Sequence, residues 1–298
     1  MISRAALIAL LAPACLAQSD SISSPPTAPA ELVRKAVDNE IKASQDPNAR
    51  FMFRSTRTKS GAAVTKIFVQ AKEATAGVVV AYNGTPLTPA QRQDERARIE
   101  RFTKSPDELE KKRRQEQVDA DRTMRIIRAL PDAFIYEYDG EKLGSPGVGR
   151  SGEPLVALKF HPNPRYDPPS RVEQILTGMQ GILLLDAHRS RLASIDGTLY
   201  KDVGFGWGIL GHLDQGGHFL VQQQEIGNNY WVISRTNVEV TGKILLFKSF
   251  SFNLNEVFSD FKPVLRDIPF ANAIELLEKE ESLFTESSAV GTKNSSAR

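Results

Sequence analysis

The stretch that decides the fold is Gly216 to Asp260, which reads GGHFLVQQQEIGNNYWVISRTNVEVTGKILLFKSFSFNLNEVFSD. Apolar and polar residues alternate along it, and alternation at period two is typical of strands with one buried face. Gly227-Asn228 and Thr241-Gly242 stand where tight hairpin turns are expected. The stretch therefore predicts an antiparallel meander, and no catalytic motif accompanies it.

The predicted sheet extends well beyond this meander. Similar runs lie at Phe51 to Thr58, Ala62 to Lys72, Gly77 to Asn83, Ala133 to Asp139, Leu155 to His161, Ile182 to Asp186 and Leu192 to Lys201. Short turns such as Ser60-Gly61 and Asn83-Gly84 make sequential strands antiparallel neighbours. We expect an α+β protein with about ten strands in one curved antiparallel sheet, a half-barrel with covering helices.

Three or four helices are predicted around this sheet. Ala30 to Ser44 gathers its apolar residues on one side, as a helix lying against a sheet does. Thr88-Pro89 and a capping box at Ser105 begin two further helices, which form a charged insertion over residues 88–130. A short helix with an apolar stripe begins at Ser170, and we expect it over the mouth of the barrel.

The charged insertion allows two interpretations. Its cations are interleaved with acidic residues, which is typical of a solvated helix face. The run Lys111, Lys112, Arg113 and Arg114 instead offers a contact for anionic lipid, a membrane surface or another envelope protein. These four cations are the candidate partner-contact residues.

The N-terminal residues predict export. Met1 to Ala17 combines the cation Arg4, an apolar run and a small-residue end, which is the pattern of a signal peptide and is too short to span a membrane. We expect a periplasmic protein with one domain over residues 31–284 and disordered segments at 18–30 and 285–298. Cys15, the single cysteine, offers a minor alternative in which the protein is lipid-anchored.

Composition and charge exclude several functions. The 298 residues include 38 Lys and Arg against 36 Asp and Glu, and this balance argues against a nucleic-acid-binding protein. Cleavage after Ala17 would remove the only cysteine, and thiol chemistry would be excluded with it. The chain is long enough to bury a core without disulfides.

Motifs that suggest catalysis or metal binding are incomplete. The glycine-rich Gly204 to Gly208 lacks the helix and the acidic residue of a nucleotide site, and a bent strand explains it better. Asp186 with His188, and His212 with Asp214, each share a strand face, but nothing in the sequence brings the two pairs together. We predict no catalytic residue, metal or cofactor, while an enzyme site assembled from distant residues stays open.

Several segments resemble those of a known superfamily. They are Tyr82 to Thr88 before a charged helix, Pro131 to Phe134, Phe205 to Gly208, and Lys243 to Lys248 leading to Phe258 to Phe261. The signal peptide, a capping helix, antiparallel strands with a helical insert and the terminal meander together resemble the half-barrel superfamily of the lipoprotein-localisation factors LolA and LolB and the sigma-factor regulator RseB. More narrowly, the segments above resemble those of an uncharacterised group of exported bacterial proteins of this type. The resemblance covers nearly all of the chain after the signal peptide, and its segments are structural.

The resemblance implies a concave apolar surface that holds acyl chains or a hydrophobic partner segment, with helices as a lid. The predicted strand Ile244 to Leu254 begins apolar on both faces, which is more than a sheet with one solvated face needs. The alternative is that helices cover one face and side chains fill the barrel interior. The candidate ligand-lining residues are Phe205, Trp207, Leu246, Phe250, Phe252 and Leu254.

Two functions are therefore predicted. The first is a non-enzymatic periplasmic binding protein that holds the acyl chains of a lipid or lipoprotein in the concave face of the half-barrel. The second is an envelope regulatory or interaction protein that recognises a protein partner through the same scaffold and its charged helices.

Overall fold

The computed structural model describes residues 28–205, 210–244 and 248–295, with side chains described as far as residue 287. Within these residues, five helices accompany one large antiparallel sheet, which confirms the α+β class. The helices are α1 (Pro29–Ser44), α2 (Pro89–Lys104), α3 (Pro106–Ala133), α4 (Arg171–Gln174), which continues as a 3-10 turn (Ile175–Gly178), and α5 (Phe270–Ser295). The predicted signal peptide lies outside the described residues.

The strands follow the predicted runs closely. They are β1 (Phe51–Lys59), β2 (Ala62–Gln70), β3 (Thr75–Tyr82), β4 (Thr85–Pro86), β5 (Phe134–Leu143), β6 (Pro154–Pro162), β7 (Met179–Asp186), β8 (Leu192–Leu199), β9 (Val203–Phe205), β10 (Gly211–Leu213), β11 (His218–Glu225), β12 (Trp231–Ile244) and β13 (Lys248–Pro263). The expected ten become 13 because β4, β9 and β10 span only two or three residues, too few to show alternation.

The sheet is open, with β4 at one end and β5 at the other. Its order is β4-β3-β2-β1-β13-β12-β11-β8-β7-β6-β5, with β10 paired to β12 and β9 paired to β10. The N-terminal strands therefore join the meander through β1 and β13. The charged insertion, α2 and α3, follows β4 and precedes β5, so it connects the two ends of the sheet.

Three of the four predicted turns are confirmed. Ser60-Gly61 and Asn83-Gly84 have positive φ at both residues, which suits tight turns between twisted strands. Gly227 and Asn228 also have positive φ, and they lie in the turn that joins β11 to β12. Local turn chemistry alone was sufficient at these positions.

The turn predicted at Thr241-Gly242 is wrong. Both residues lie within β12, where they pair with Ser251 and Phe250 of β13. A Cβ atom at Gly242 would lie 2.2 Å from the carbonyl oxygen of His212 and 2.9 Å from the Phe250 ring. Glycine is needed there for the close approach of β10, and the chain direction does not reverse.

The structure places two hydrophobic clusters on opposite faces of the sheet. The first cluster joins α1 and the C-terminal end of α3 to β5, β6, β7 and β8, with Leu158 and Leu183 fully buried. The second cluster joins β2 and β3 to α5, with Val69 and Leu277 fully buried. The two clusters have no residue in common.

A buried ion pair fastens α1 to β8. Glu40 accepts from both Nε and Nη2 of Arg191, at 2.8 and 2.9 Å. Its Oε1 also accepts from the amide of Leu192 at 3.1 Å. Both charged side chains are buried, and removing one member of such a pair typically costs about 3–5 kcal/mol because the other charge is left uncompensated.

The charged helices satisfy the exposed main chain of β3. Three hydrogen bonds do so: Glu95 accepts from the amide of Val79 (2.7 Å), Arg98 donates to the carbonyl of Gly77 (2.8 Å), and Glu116 accepts from the amide of Thr75 (3.0 Å). Strand β4 pairs only with Ala81 and Tyr82, so these side chains replace a neighbouring strand along most of β3.

Helix α5 corrects the predicted C-terminal boundary. A disordered segment is expected from residue 285, but α5 runs from Phe270 to Ser295. Its N-terminal half packs on the second cluster through Phe270, Ala273 and Leu277, which recur at helical spacing. This pattern was visible in the sequence, and the prediction omitted it.

Glu281 of α5 generates a prediction about pH. It is 4% exposed, and burial raises the pKa of its carboxyl, although Arg96 and Arg92 act in the opposite direction. A raised pKa favours the protonated form in the folded protein, so this group stabilises the fold below about pH 4 and loses that contribution as the pH rises through the folded pKa. Thermal unfolding between pH 4 and 8 should show Glu281→Gln more stable at pH 7, by about 2–4 °C for a gain of about 1 kcal/mol.

The matched control is Glu278→Gln, which removes an exposed carboxyl from the same helix. This control should leave the melting temperature nearly unchanged across the series. Equal shifts for both variants, or a Glu281→Gln protein that is less stable at pH 7, would contradict the role assigned to burial.

Candidate functional site

An apolar cavity of about 350 Å³ lies against the first hydrophobic cluster. Helix α3, the α4 segment and five strands contribute to its wall. The lining residues are Ile126 and Leu130 of α3, Phe134 and Tyr136 of β5, Phe160 of β6, Val172, Ile175 and Leu176 of α4 and its 3-10 turn, Met179 and Leu183 of β7, Ile195 of β8, and Phe219 and Val221 of β11. These side chains are aliphatic or aromatic, apart from the thioether of Met179.

One side of the cavity is deeply buried and the other is half-buried. Phe160, Leu176 and Leu183 are at most 3% exposed. Ile126, Ile195, Phe219 and Val221 are among the half-buried lining residues. The cavity therefore opens toward solvent on the side of α3, β8 and β11.

Strand pairing builds the floor of the cavity. Ile195 of β8 lies directly opposite Leu183 of β7 and Val221 of β11. Paired residues in an antiparallel sheet point to the same face, so the three side chains form a row across three strands. Ile195 is the middle member of this row.

The short α4 segment forms another wall. Ser170 accepts from the amide of Val172 as the N-cap, and this bond starts the helix. Val172, Ile175 and Leu176 then fall at spacings of three and four, which brings them to one helical face. Gln174 donates to the carbonyl of Gly204 at 2.6 Å, which fastens the segment to β9.

The only polar side-chain group of the lining residues is already satisfied. The hydroxyl of Tyr136 donates to the carbonyl of Leu130 at 2.7 Å. Burial raises the pKa of this hydroxyl far above its usual range, so it stays neutral. The wall therefore offers van der Waals contact and no free hydrogen-bonding side chain to a ligand.

The candidate ligand-lining residues lie apart from this cavity. Phe205 is half-buried and packs against the first cluster, although it does not line the cavity. Phe250, Phe252 and Leu254 alternate along one face of β13, and Phe252 is 50% exposed. The described part of β13 contributes no residue to the cavity wall. The remaining two candidates, Trp207 and Leu246, lie outside the described residues.

The candidate partner-contact residues all lie on α3. Lys112 pairs with Glu116 at 2.7 Å, while Arg113 and Arg114 pair with Glu110 at 2.7 and 3.3 Å. In the described part of the chain, Lys111 has no carboxylate within 4 Å. Intrahelical pairs at this spacing are typical of a solvated face, and contact with a partner stays a prediction.

The histidine and aspartate pairs do not assemble into one site. His212 lies 3.1 Å from Asp214, as their spacing predicts. Asp186 instead binds Arg150 at 3.0 Å and accepts from the amide of His188. Across residues 28–205, 210–244 and 248–295, no three His, Cys, Asp or Glu side chains are grouped so that they could hold a metal ion.

Comparison of the chain with protein-family models, with curated proteins and with solved structures found no match. The resemblance to the half-barrel superfamily therefore stays a prediction that rests on its own residues. None of the helices that the structure describes is both long enough and apolar enough to cross a membrane.

Tyr136→Phe tests the description of the cavity wall. The substitution leaves the buried carbonyl of Leu130 without its donor, and the expected loss is about 1–3 kcal/mol in the free energy of unfolding. Urea unfolding measures it. Tyr82→Phe, at a tyrosine that is 44% exposed, is the control and should change stability little. If the two variants lose equal stability, the hydroxyl of Tyr136 is not the satisfied buried group described above.

Proposed function

We propose that this chain is an exported, periplasmic, non-enzymatic binding protein that holds the acyl chains of a lipid or lipoprotein in the apolar cavity. The observation that carries the proposal is the cavity wall, in which every side chain is apolar and the one hydroxyl is already bonded within the protein. The location assigned to the ligand thus moves from β13 to the floor formed by β7, β8 and β11.

The volume and chemistry of the cavity support an acyl ligand. A volume of about 350 Å³ is within the range of about 300–1,000 Å³ that is usual for small-molecule sites. A ligand with polar groups would lose their hydration in this wall without regaining hydrogen bonds. An acyl chain has no such groups, and each methylene that it buries contributes about 0.8 kcal/mol.

A curved sheet with α3 across its opening is part of the proposal. Nine strand-to-strand steps separate β3 from β5, or about 43 Å in a flat sheet. Helix α3 contacts β3 through Glu116 and enters β5 at Phe134, and roughly 18 helical residues span only about 27 Å. The shorter helical span supports a sheet whose two ends approach each other, as in a half-barrel.

Filling the cavity should prevent binding. Ile195→Phe adds volume at the centre of the cavity floor, so a fluorescent fatty acid should bind about tenfold or more weakly than to the unmodified protein. The protein is exported to a bacterial periplasm and purified without detergent. Fluorescence titration then measures affinity, and native mass spectrometry detects any acyl adduct that is retained.

Phe252→Ser is the matched control because Phe252 is exposed on β13 and does not line the cavity. It should bind the fatty acid as the unmodified protein does. If Phe252→Ser loses binding and Ile195→Phe retains it, the ligand lies on β13, as the sequence analysis predicts, and the cavity is not the site. If the unmodified protein binds no fatty acid, the proposed function is wrong.

A second function, recognition of a protein partner, is favoured by the middle of α3. All seven residues from Gln117 to Thr123 are exposed, which amounts to about two helical turns. A helix of a folded domain normally buries one face, so a segment with no buried face is free to contact another protein. Within it, Val118 is an exposed apolar residue.

Site-specific photocrosslinking in cells tests this alternative. A photoreactive residue at Val118 should give one discrete crosslinked species, while the same group at Tyr200, an exposed residue outside α3, should not. Bands that are the same at both positions, or no band at Val118, would exclude α3 as the contact.

A further inference from the structure

A second cavity, unrelated to the apolar one, lies beside the C-terminal half of α1. Its volume is about 640 Å³, and its other walls are the turns between β7 and β8 and between β11 and β12. It shares no lining residue with the apolar cavity. We name it the α1 cleft.

Unpaired cations gather at the α1 cleft. Lys35 and Lys42 of α1 and Arg189 of the β7–β8 turn all line it, and none has a carboxylate within 4 Å among the described residues. Asp46 is the single carboxylate in its wall. Like charges that face one space repel each other, so an anion that enters the cleft lowers the electrostatic energy.

The floor of the α1 cleft contains an arginine that is ion-paired and lies over an aromatic ring. Arg191, held by Glu40, has its guanidinium carbon 5.5 Å from the centre of the Trp231 ring. The indole Nε1 of Trp231 is buried and has no hydrogen-bond partner within the described part of the chain. This donor is covered by protein atoms, so Trp231 lines the cleft through its other atoms and not through Nε1.

The turn that carries Arg189 is fixed before any ligand binds. Buried Asp186 accepts from the amides of His188 and Arg189, at 3.0 and 2.6 Å. Asn39 of α1 donates to the carbonyls of Arg189 and Ser190, at 3.2 and 3.0 Å. The backbone of Arg189 is thus held by hydrogen bonds from Asp186 and from Asn39 of α1. Binding of a ligand therefore costs little further conformational entropy in this turn.

We propose that the α1 cleft is an anion site that binds a phosphate group, carried either by a small phosphoester or by a lipid headgroup. Two lysines and an arginine suit a group that carries up to two negative charges and several acceptor oxygens. The site is independent of the acyl-chain proposal, because the two cavities have separate walls.

Tryptophan fluorescence provides a direct measurement. The chain has two tryptophans, so Trp207→Phe leaves Trp231 as the only reporter. Titration with glycerol 3-phosphate tests the soluble source, and flotation with vesicles of phosphatidylglycerol in phosphatidylcholine tests the headgroup source. Binding should saturate and weaken with salt, and the doubly substituted Lys42→Ala, Arg189→Ala protein should bind about tenfold or more weakly.

The control is Arg122→Ala with Arg125→Ala, which removes two exposed cations of α3 and lowers the net charge equally. Saturable binding of either phosphate source that only the cleft variant loses supports the site and identifies the source. If neither source binds, or if both double variants lose binding equally, the α1 cleft is not a phosphate site. Neither result depends on whether a fatty acid binds in the apolar cavity.

Discussion

The position of α1 depends on one buried ion pair, between Glu40 and Arg191. The pair is bidentate, and Glu40 also accepts from the amide of Leu192, so the contact fixes both the distance and the rotation of α1 relative to β8. Helix α1 contributes Val33 and Ala36 to the first hydrophobic cluster on one side and lines the α1 cleft on the other. The ion pair therefore holds one wall of the α1 cleft and the packing of α1 on the first cluster.

The charged insertion has a structural role that composition alone would not reveal. Its helices connect the two ends of an open sheet and supply three side chains that bond to the main chain of β3. Without them, β3 would present unpaired amides and carbonyls to solvent as an edge open to other strands. Many charged side chains of α2 and α3 thus either bond to the edge of β3 or pair with each other within a helix. The exposed middle of α3 is the part that packing leaves unexplained.

Features set by near neighbours in the chain were predictable. The turns at Ser60-Gly61 and Asn83-Gly84 and the helix starts at Thr88 and Ser105 follow from residues within a few positions. Helix α5 was predictable on the same grounds, from its apolar spacing. The turn predicted at Thr241-Gly242 is wrong because Gly242 is required for the close approach of β10, which is distant in sequence.

The candidate sites were not predictable, because each requires contacts between distant residues. Ile195 forms the cavity floor only after its strand pairs with β7 and β11, and a shift of one residue in either pairing would turn it to the other face. The α1 cleft needs Glu40 and Arg191 to meet across 151 positions. Sequence patterns identify apolar strands and basic residues, but they do not show which of these residues line the same cavity.

The α1 cleft and the apolar cavity are separate in space but are joined by β8. Buried Leu192 lies on β8 between Arg191, at the α1 cleft, and Ile195, on the cavity floor. Because the two cavities have separate walls, a ligand in one site does not touch a ligand in the other. Helix α1, which packs on the first cluster and forms a wall of the cleft, and β8, which leads from Arg191 to Ile195, both connect the two sites. Because linkage is reciprocal, any factor by which occupation of one site changed the affinity of the other would apply equally in the opposite direction.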